Sequence, residues 1–181
     1  MLTSEADILI VPGLGNSGPD HWQSRWEAKL PTARRVEQAD WDRPDLALWA
    51  QRLVEEADKA TRPLVLVSHS FGGYAVAVAA TELAEKVRGA FIVAPPATRV
   101  IADMGGARLL AQVPTMPLPF KTVVIASRDD HFGTYEEAQR LAQAWGAALS
   151  DAGYSGHLNA QSGHGPWPEG LMRFAGFMKS L

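Results

Sequence analysis

A serine lies in a tight turn between an apolar segment and an alanine-rich segment. The stretch reads VLVSHSFGGYAVAVAA over residues 65–80, with Ser70 two positions after Ser68 and two before Gly72. This has the form of the G-x-S-x-G nucleophile elbow, with serine in the first glycine position. Strand and helix approach closely at such a turn, so both flanking residues must be small, and the helix N-terminus offers N–H groups to an oxyanion. The pattern predicts Ser70 as a nucleophile; the alternative is a tight strand–helix turn without chemistry.

A nucleophilic serine needs a histidine base, and the base needs an orienting acid. Asp129 and Asp130 directly follow an apolar run that ends at Ser127. An acid just beyond the carboxyl end of a strand stands at the correct edge of a sheet for this role. We expect the carboxylate of the other aspartate to have an ordinary structural role, in a turn or at the N-terminus of a helix.

Two later histidines, each preceded by glycine, compete for the base. They are His157 and His164, seven residues apart. Counting forward from Leu149 in the last predicted strand favours His157, whereas counting back from the end of the sequence favours His164. Either choice gives the chain order Ser, Asp, His that is typical of α/β-hydrolases. We take His157 as the base and keep His164 as the alternative. His69 precedes the serine directly, so we expect it to pack or hydrogen-bond under the elbow.

A glycine-rich loop follows the first apolar run. Its sequence, VPGLGNSGPDHW over residues 11–22, contains a literal G-x-G-x-x-G, and Asp40 stands near the spacing of a ribose-binding acid. However, Pro12 precedes the first glycine, and Pro19 follows the third, where a dinucleotide site needs the helix to have begun. A hydrolase also takes one oxyanion donor from this loop. We therefore predict that the backbone N–H groups of Leu14 and Phe71 form an oxyanion hole, and keep dinucleotide binding as a weaker alternative.

Strand and helix patterns alternate along the whole sequence. Apolar runs without alternation, such as LVLV at 64–67, are typical of strands buried on both faces of a parallel sheet. The sequence predicts an α/β fold with a doubly wound, mostly parallel sheet of about six strands. The predicted strands are 7–12, 34–39, 63–68, 89–94, 122–127 and 148–152, and the predicted helices 20–30, 45–60, 71–86, 135–146 and 169–181. The long connection 95–119, with a short helix at 107–112, forms either a pocket wall or a plain surface loop.

The overall composition excludes several classes of function. The chain has 181 residues, a net charge of −3 and no cysteine. We expect a single domain over 1–181, no disulfide, no nucleic-acid surface and no membrane segment. The absence of a recognisable signal peptide leads us to expect a cytoplasmic protein. The histidine spacing contains no metal-binding motif, so we expect neither a metal nor a cofactor.

Four blocks of the sequence together resemble a known family. VPGLGNSGPDHWQSRWE, LVSHSFGG, ASRDDHFGTYEEAQRLAQAWGA and GHLNAQSGHGPWPEG occur in the order found in small serine hydrolases related to retinoblastoma-binding protein nine and the bacterial YdeN-like proteins. The resemblance implies a compact α/β-hydrolase fold without a cap domain and a Ser-Asp-His triad. It assigns Ser70 as nucleophile and Asp130 as acid, because the family's acid precedes a proline and an aromatic residue. Here His131 replaces that proline, which keeps Asp129 open.

The expected function is hydrolysis of a carboxylic ester or related acyl bond through an acyl-enzyme. The substrate would be a small acyl compound. The competing hypothesis is a non-catalytic α/β interaction module with a protein partner, since the family's name itself records one. A complete triad in the correct order favours the enzyme, because a binding module does not need it.

Overall fold

The computed structural model describes residues 1–105 and 111–181. In these residues six strands form one sheet in the order β2-β1-β3-β4-β5-β6, and every neighbouring pair is parallel. The doubly wound parallel sheet is therefore confirmed. The strands are β1 (Asp7–Val11), β2 (Ala33–Arg35), β3 (Leu64–His69), β4 (Val87–Val93), β5 (Lys121–Ala126) and β6 (Ala148–Asp151).

Helices connect the strands and cover both faces of the sheet. Within the described ranges they are α1 (Trp22–Lys29), α2 (Leu46–Ala57), α3 (Gly72–Ala79), α4 (Thr98–Gly105), α5 (Tyr135–Ala144) and α6 (Pro168–Ser180). Thr134 begins α5 with the capping box that its spacing to Glu137 predicts. In the part of the chain that the structure describes, no helix is both long enough and apolar enough to cross a bilayer.

The core has two layers because successive side chains of a strand point to opposite faces. Leu9 and Val11 of β1 face the layer built with α2 and α3, whereas Ile8 and Ile10 face the layer built with α1 and α6. All five residues of β1 and all six of β3 are buried. This explains why their sequences are continuous apolar runs rather than alternating ones.

The chain reverses its direction across the sheet between β1 and β3. From β1 it moves to β2 on one side, and from β3 it continues through β4 to β6 on the other. Ligands of open parallel sheets bind outside the carboxyl ends of the strands at such a switch point. The loop after β1 and the turn after β3 are therefore neighbours, with Val11 opposite Ser68 in the register.

Three predicted segments differ from the observed ones. The predicted strand 34–39 is only Ala33–Arg35, because this edge strand pairs with three residues of β1 before the chain departs. The predicted helix 71–86 ends at Ala79, since the following seven residues form the turns that lead into β4. Most of the short helix expected at 107–112 lies outside the described residues, and its last two residues form a turn.

Candidate active site

Ser70 lies in a strained backbone conformation at the junction of β3 and α3. Its φ of 53° is in the left-handed region, which non-glycine residues rarely adopt. Glycines allow the helix to start close to the sheet. A Cβ atom on Gly72 would lie 2.4 Å from the carbonyl oxygen of Val11, and one on Gly73 would lie 2.8 Å from Ile92 Cγ2. The local geometry is that of the elbow anticipated from the small residues.

A chain of hydrogen bonds joins Ser70, His157 and Asp130. The Nε2 atom of His157 lies 2.9 Å from Ser70 Oγ, and its Nδ1 atom lies 2.8 Å from Asp130 Oδ2. The side chains of His157 and Asp130 are only 5% and 6% exposed. Because a carboxylate only accepts hydrogen bonds, Nδ1 carries the proton and Nε2 is free to accept one from the serine hydroxyl. The N–H of Phe132 donates to the other oxygen, Asp130 Oδ1, at 2.9 Å and fixes the carboxylate.

Asp129 holds two loops together instead of meeting His157. Its Oδ1 atom accepts hydrogen bonds from the Ser127 hydroxyl and from the N–H of Gly156, both at 2.8 Å. These two donors hold the pKa of Asp129 below its usual value. Since Gly156 immediately precedes His157, Asp129 ties the loop after β5 to the loop that carries this histidine.

His164 lies apart from the serine. Its Nδ1 atom is 3.3 Å from Ser162 Oγ, and its ring packs edge-on against Trp167 at 6.1 Å. Its carbonyl oxygen accepts a hydrogen bond from the N–H of Trp22. Of the two candidate histidines, the fold brings only His157 within hydrogen-bonding distance of both Ser70 and an aspartate.

The loop after β1 passes directly beside the elbow. A Cβ atom on Gly13 would lie 2.8 Å from Ser70 Cβ and 3.2 Å from the nitrogen of Phe71, so only glycine fits there. Within residues 1–105 and 111–181, the N–H groups of Leu14 and Phe71 donate no hydrogen bond. Both residues line the cavity that contains Ser70. Leu14 in this loop and Phe71 in the elbow thus each supply a free N–H donor beside the serine.

The other features of a dinucleotide site are missing from this loop. A Cβ atom on Gly18 would meet nothing within 4 Å, and the helix begins only at Trp22, so the third glycine allows no close helix–strand contact. Asp40 does not line the cavity; it accepts hydrogen bonds from the N–H groups of Asp42 and Arg43.

Two further histidines are buried beside His157. His69 donates from Nε2 to the carbonyl oxygen of His157 at 2.9 Å, and its ring lies 4.9 Å from the ring of His157 and 4.7 Å from that of His21. Burial is the main reason that the pKa of His69 falls well below its usual value. Burial, followed by repulsion from Arg35, lowers the pKa of His21 to about 4. Both rings are therefore neutral at pH 7.

His21 also begins α1. Its Nδ1 atom accepts the N–H of Gln23 at 3.1 Å, which leaves the proton of the neutral ring on Nε2. That Nε2 atom is buried and has no hydrogen-bond partner within the described residues. The next residue, Trp22, is fully buried in the core.

A cavity of about 570 Å³ opens over Ser70. Pro96 and Val100 contribute to it, so the long connection after β4 forms part of the pocket wall. Sequence reasoning missed several polar lining residues, among them Asn16 and Asn159. The only signal for Asn16 was its place between glycines in a loop, where asparagine tolerates a positive φ. No three His, Asp or Glu side chains in the described part of the chain are grouped as metal ligands.

Comparisons with known proteins show the family of this chain. The serine hydrolase family model matches residues 8–176. A Pectobacterium atrosepticum structure described as a YdeN-like hydrolase is 34% identical, with a TM-score of 0.88, and the match covers 98% of this chain and 92% of that one.

Two more distant structures share the fold alone. The ydeN gene product of B. subtilis is 19% identical with a TM-score of 0.74, covering 97% of this chain and 99% of that one. Esterase 2 of Thermogutta terrifontis, phosphonylated by cyclosarin, is 14% identical with a TM-score of 0.70. The match covers 97% of this chain and 82% of the esterase chain. A search of the curated proteins gives no match. From the family match and the 34% identity, the chain belongs to the serine hydrolase family of the α/β-hydrolase superfamily.

Proposed function

We propose that this hydrolase cleaves carboxylic esters through an acyl-enzyme on Ser70, with His157 as general base and Asp130 as its orienting acid. The observation that carries the proposal is the hydrogen-bonded chain Ser70–His157–Asp130, with distances of 2.9 Å and 2.8 Å. Nucleophile, base and acid in mutual contact are the arrangement that activates a serine hydroxyl.

The acylation step follows from these contacts. Ser70 Oγ attacks the ester carbonyl carbon while His157 Nε2 takes the hydroxyl proton. Negative charge then develops on the carbonyl oxygen, and the free N–H groups of Leu14 and Phe71 stabilise it. One such donor typically contributes about 10²–10³ in rate. When the carbon–oxygen bond to the alcohol breaks, His157 returns the proton to the departing alkoxide.

Deacylation repeats the sequence with water as nucleophile. His157 takes a proton from water, the hydroxide attacks the acyl carbon, and Ser70 recovers its proton as the carboxylic acid leaves. During both steps the imidazolium of His157 is stabilised by the carboxylate of Asp130, whose own position is held by the N–H of Phe132.

Labelling with a fluorophosphonate, followed by intact-mass measurement, tests the proposal. The wild-type protein should gain one probe per chain, and Ser70→Ala none. His157→Ala should lose labelling, whereas His164→Ala should keep it. With p-nitrophenyl butyrate as substrate, Ser70→Ala should lower kcat by about 10⁶, as triad members act as a unit. An unlabelled wild type that is folded would refute the proposal.

The two adjacent aspartates supply a matched pair of variants. Asp130→Asn removes the carboxylate that holds the protonated Nδ1 of His157, and a drop in kcat of about 10⁴ is expected from the wrong tautomer. Asp129→Asn changes only the hydrogen bonds that connect two loops, since Asp129 contacts Ser127 and Gly156. A larger loss of kcat in Asp129→Asn than in Asp130→Asn would contradict the assignment of the acid.

A further inference from the structure

We propose that the alcohol part of the substrate is uncharged and carries additional oxygen atoms, as in a glycerol ester, and that Asn16 and Asn159 bind those oxygens. This inference rests on the proposed function, because it assigns the cavity over Ser70 to an ester. It concerns the chemical class of the leaving group, which the triad by itself leaves open.

The first support is the lack of charge on the cavity wall. Among the described residues, the wall of the cavity contains no Asp, Glu, Lys or Arg. Two of its histidines, His21 and His69, are neutral at pH 7 because burial lowers the pKa of each. A charged group bound here would lose part of its hydration and would meet no Asp, Glu, Lys or Arg side chain on the described wall. The wall therefore favours an uncharged alcohol.

Asn16 lines this cavity, and its oxygen is occupied by the protein. Its Oδ1 atom is already engaged by two donors, Arg35 Nη1 and the N–H of Ser17, each at 2.7 Å. The side chain of Arg35 is only 11% exposed and is also paired with Glu27, so this anchor is rigid. Because the oxygen is used, the amide NH₂ of Asn16 is the group left for a ligand.

Asn159 is arranged in the same way. Its Oδ1 atom accepts the N–H of Ser162 at 3.0 Å and thereby begins the short 3₁₀ turn Ala160–Ser162. The hydroxyl of Ser162 is itself occupied by the main chain of Asn159. The NH₂ of Asn159 has no partner within the described residues, and it is the second donor on the wall. Two amide donors select a ligand with oxygen acceptors, such as hydroxyl groups.

The position of Asn159 in the chain associates this donor with the alcohol rather than the acyl group, and Asn16 lines the same cavity. Asn159 follows His157 by two residues, and His157 must reach the departing alkoxide to protonate it. The apolar lining residues Pro96 and Val100 come from the connection after β4 and suit a hydrocarbon acyl chain. In the reaction the ester carbon–oxygen bond breaks, glycerol leaves with the proton from His157, and water later releases the acid.

Matched pairs of butyrate esters test the inference through kcat/KM. 1-Butyrylglycerol differs from propyl butyrate only by two hydroxyl groups. Two neutral hydrogen bonds of about 1 kcal/mol each predict a preference for the glycerol ester of roughly 25-fold. Butyrylcholine differs from 3,3-dimethylbutyl butyrate by its positive charge, and it should be the slower of that pair. A glycerol-to-propyl ratio near one, or a faster choline ester, would overturn the inference.

Asn→Asp variants remove the donors while keeping the structural acceptors. In Asn16→Asp and Asn159→Asp, one carboxylate oxygen still accepts from Arg35 or from Ser162, but the NH₂ is lost. Each variant should lower the glycerol-to-propyl ratio by about fivefold. Gln143 is exposed on α5 and does not line the cavity, so Gln143→Glu adds the same charge outside the proposed binding wall. It should leave the ratio unchanged, and an equal fall there would count against the asparagines.

The outcomes separate this inference from the function on which it rests. If the wild type reacts with the phosphonate and cleaves p-nitrophenyl butyrate but shows no glycerol preference, only the leaving-group inference fails. If the wild type is not labelled, the proposed function fails. The wild-type ratio needs no variant, so misfolding of a variant does not decide the result.

Discussion

Lowering the pH from 7.5 to 5 should destabilise the protein, because its folded state holds buried histidines in the neutral form. Burial lowers the pKa of His21 to about 4 in the folded protein, against an ordinary value of 6.5 in the unfolded chain. The unfolded state then binds more protons than the folded state between these two values. The contribution of His21 to the free energy of unfolding is therefore constant well above pH 6.5. It decreases as the pH drops below 6.5 and levels off below pH 4.

The size of the effect follows from the difference of the two pKa values. A shift from 6.5 to about 4 corresponds to roughly 3.4 kcal/mol once the pH is below both values. At pH 5 the linkage relation gives about 2 kcal/mol of this loss. His69 acts in the same direction, because burial also lowers its pKa.

A variant that keeps the helix cap but removes the titration isolates the contribution of His21. Asparagine is a strong N-cap residue and can accept the N–H of Gln23 as His21 Nδ1 does. Urea unfolding of wild type and His21→Asn at pH 7.5 and 5 should show that the variant loses about 2 kcal/mol less over this interval. His21→Ala should share the smaller pH dependence but be about 1 kcal/mol less stable than His21→Asn at both pH values.

An equal loss of stability in wild type and His21→Asn between pH 7.5 and 5 would refute this reasoning. It would mean that the ring of His21 is charged in the folded protein, or that water reaches its buried Nε2 atom.

Two further predictions concern the surroundings of Ser70. Gly13→Ala brings a Cβ atom to 2.8 Å from Ser70 Cβ, so the phosphonate labelling rate should fall about 10²-fold through a displaced loop, whereas Gly18→Ala, with nothing within 4 Å, should label like the wild type. His69→Leu leaves the carbonyl of His157 unpaired and should lower the free energy of unfolding by about 1–3 kcal/mol, with kcat falling more than KM changes. His69→Gln retains an N–H donor and should recover part of the lost stability and part of the lost kcat. Identical behaviour of the His69→Leu and His69→Gln variants would exclude the hydrogen bond to the His157 carbonyl as the cause.

The sheet and the elbow could be predicted because they depend on neighbours in the sequence. Strands buried on both faces must be apolar throughout, so β1 and β3 were visible as unbroken runs. The elbow was visible because the close contact of Gly72 with Val11 permits no side chain there. The ends of the elements were less predictable. The last residue of α3, for example, depends on the distance that the connection to β4 must span.

The choices between Asp129 and Asp130 and between His157 and His164 depend on contacts across the chain. Adjacent aspartates after a strand look equivalent in sequence, but their side chains point differently, and one meets Gly156 while the other meets His157. Their catalytic roles stay predictions until the variants are measured.

The amino-acid sequence by itself determined the parallel α/β sheet, the elbow serine and the order of serine, acid and histidine. Each of these depends on the local spacing of residues and on the pattern of apolar residues. Only the tertiary structure decided which histidine meets Ser70, how His69 holds the backbone of His157, and that Arg35 turns the amide of Asn16 toward donation. These three contacts join residues 87, 88 and 19 positions apart. No local sequence pattern predicts these contacts, because the partners meet only when the loops pack at the edge of the sheet.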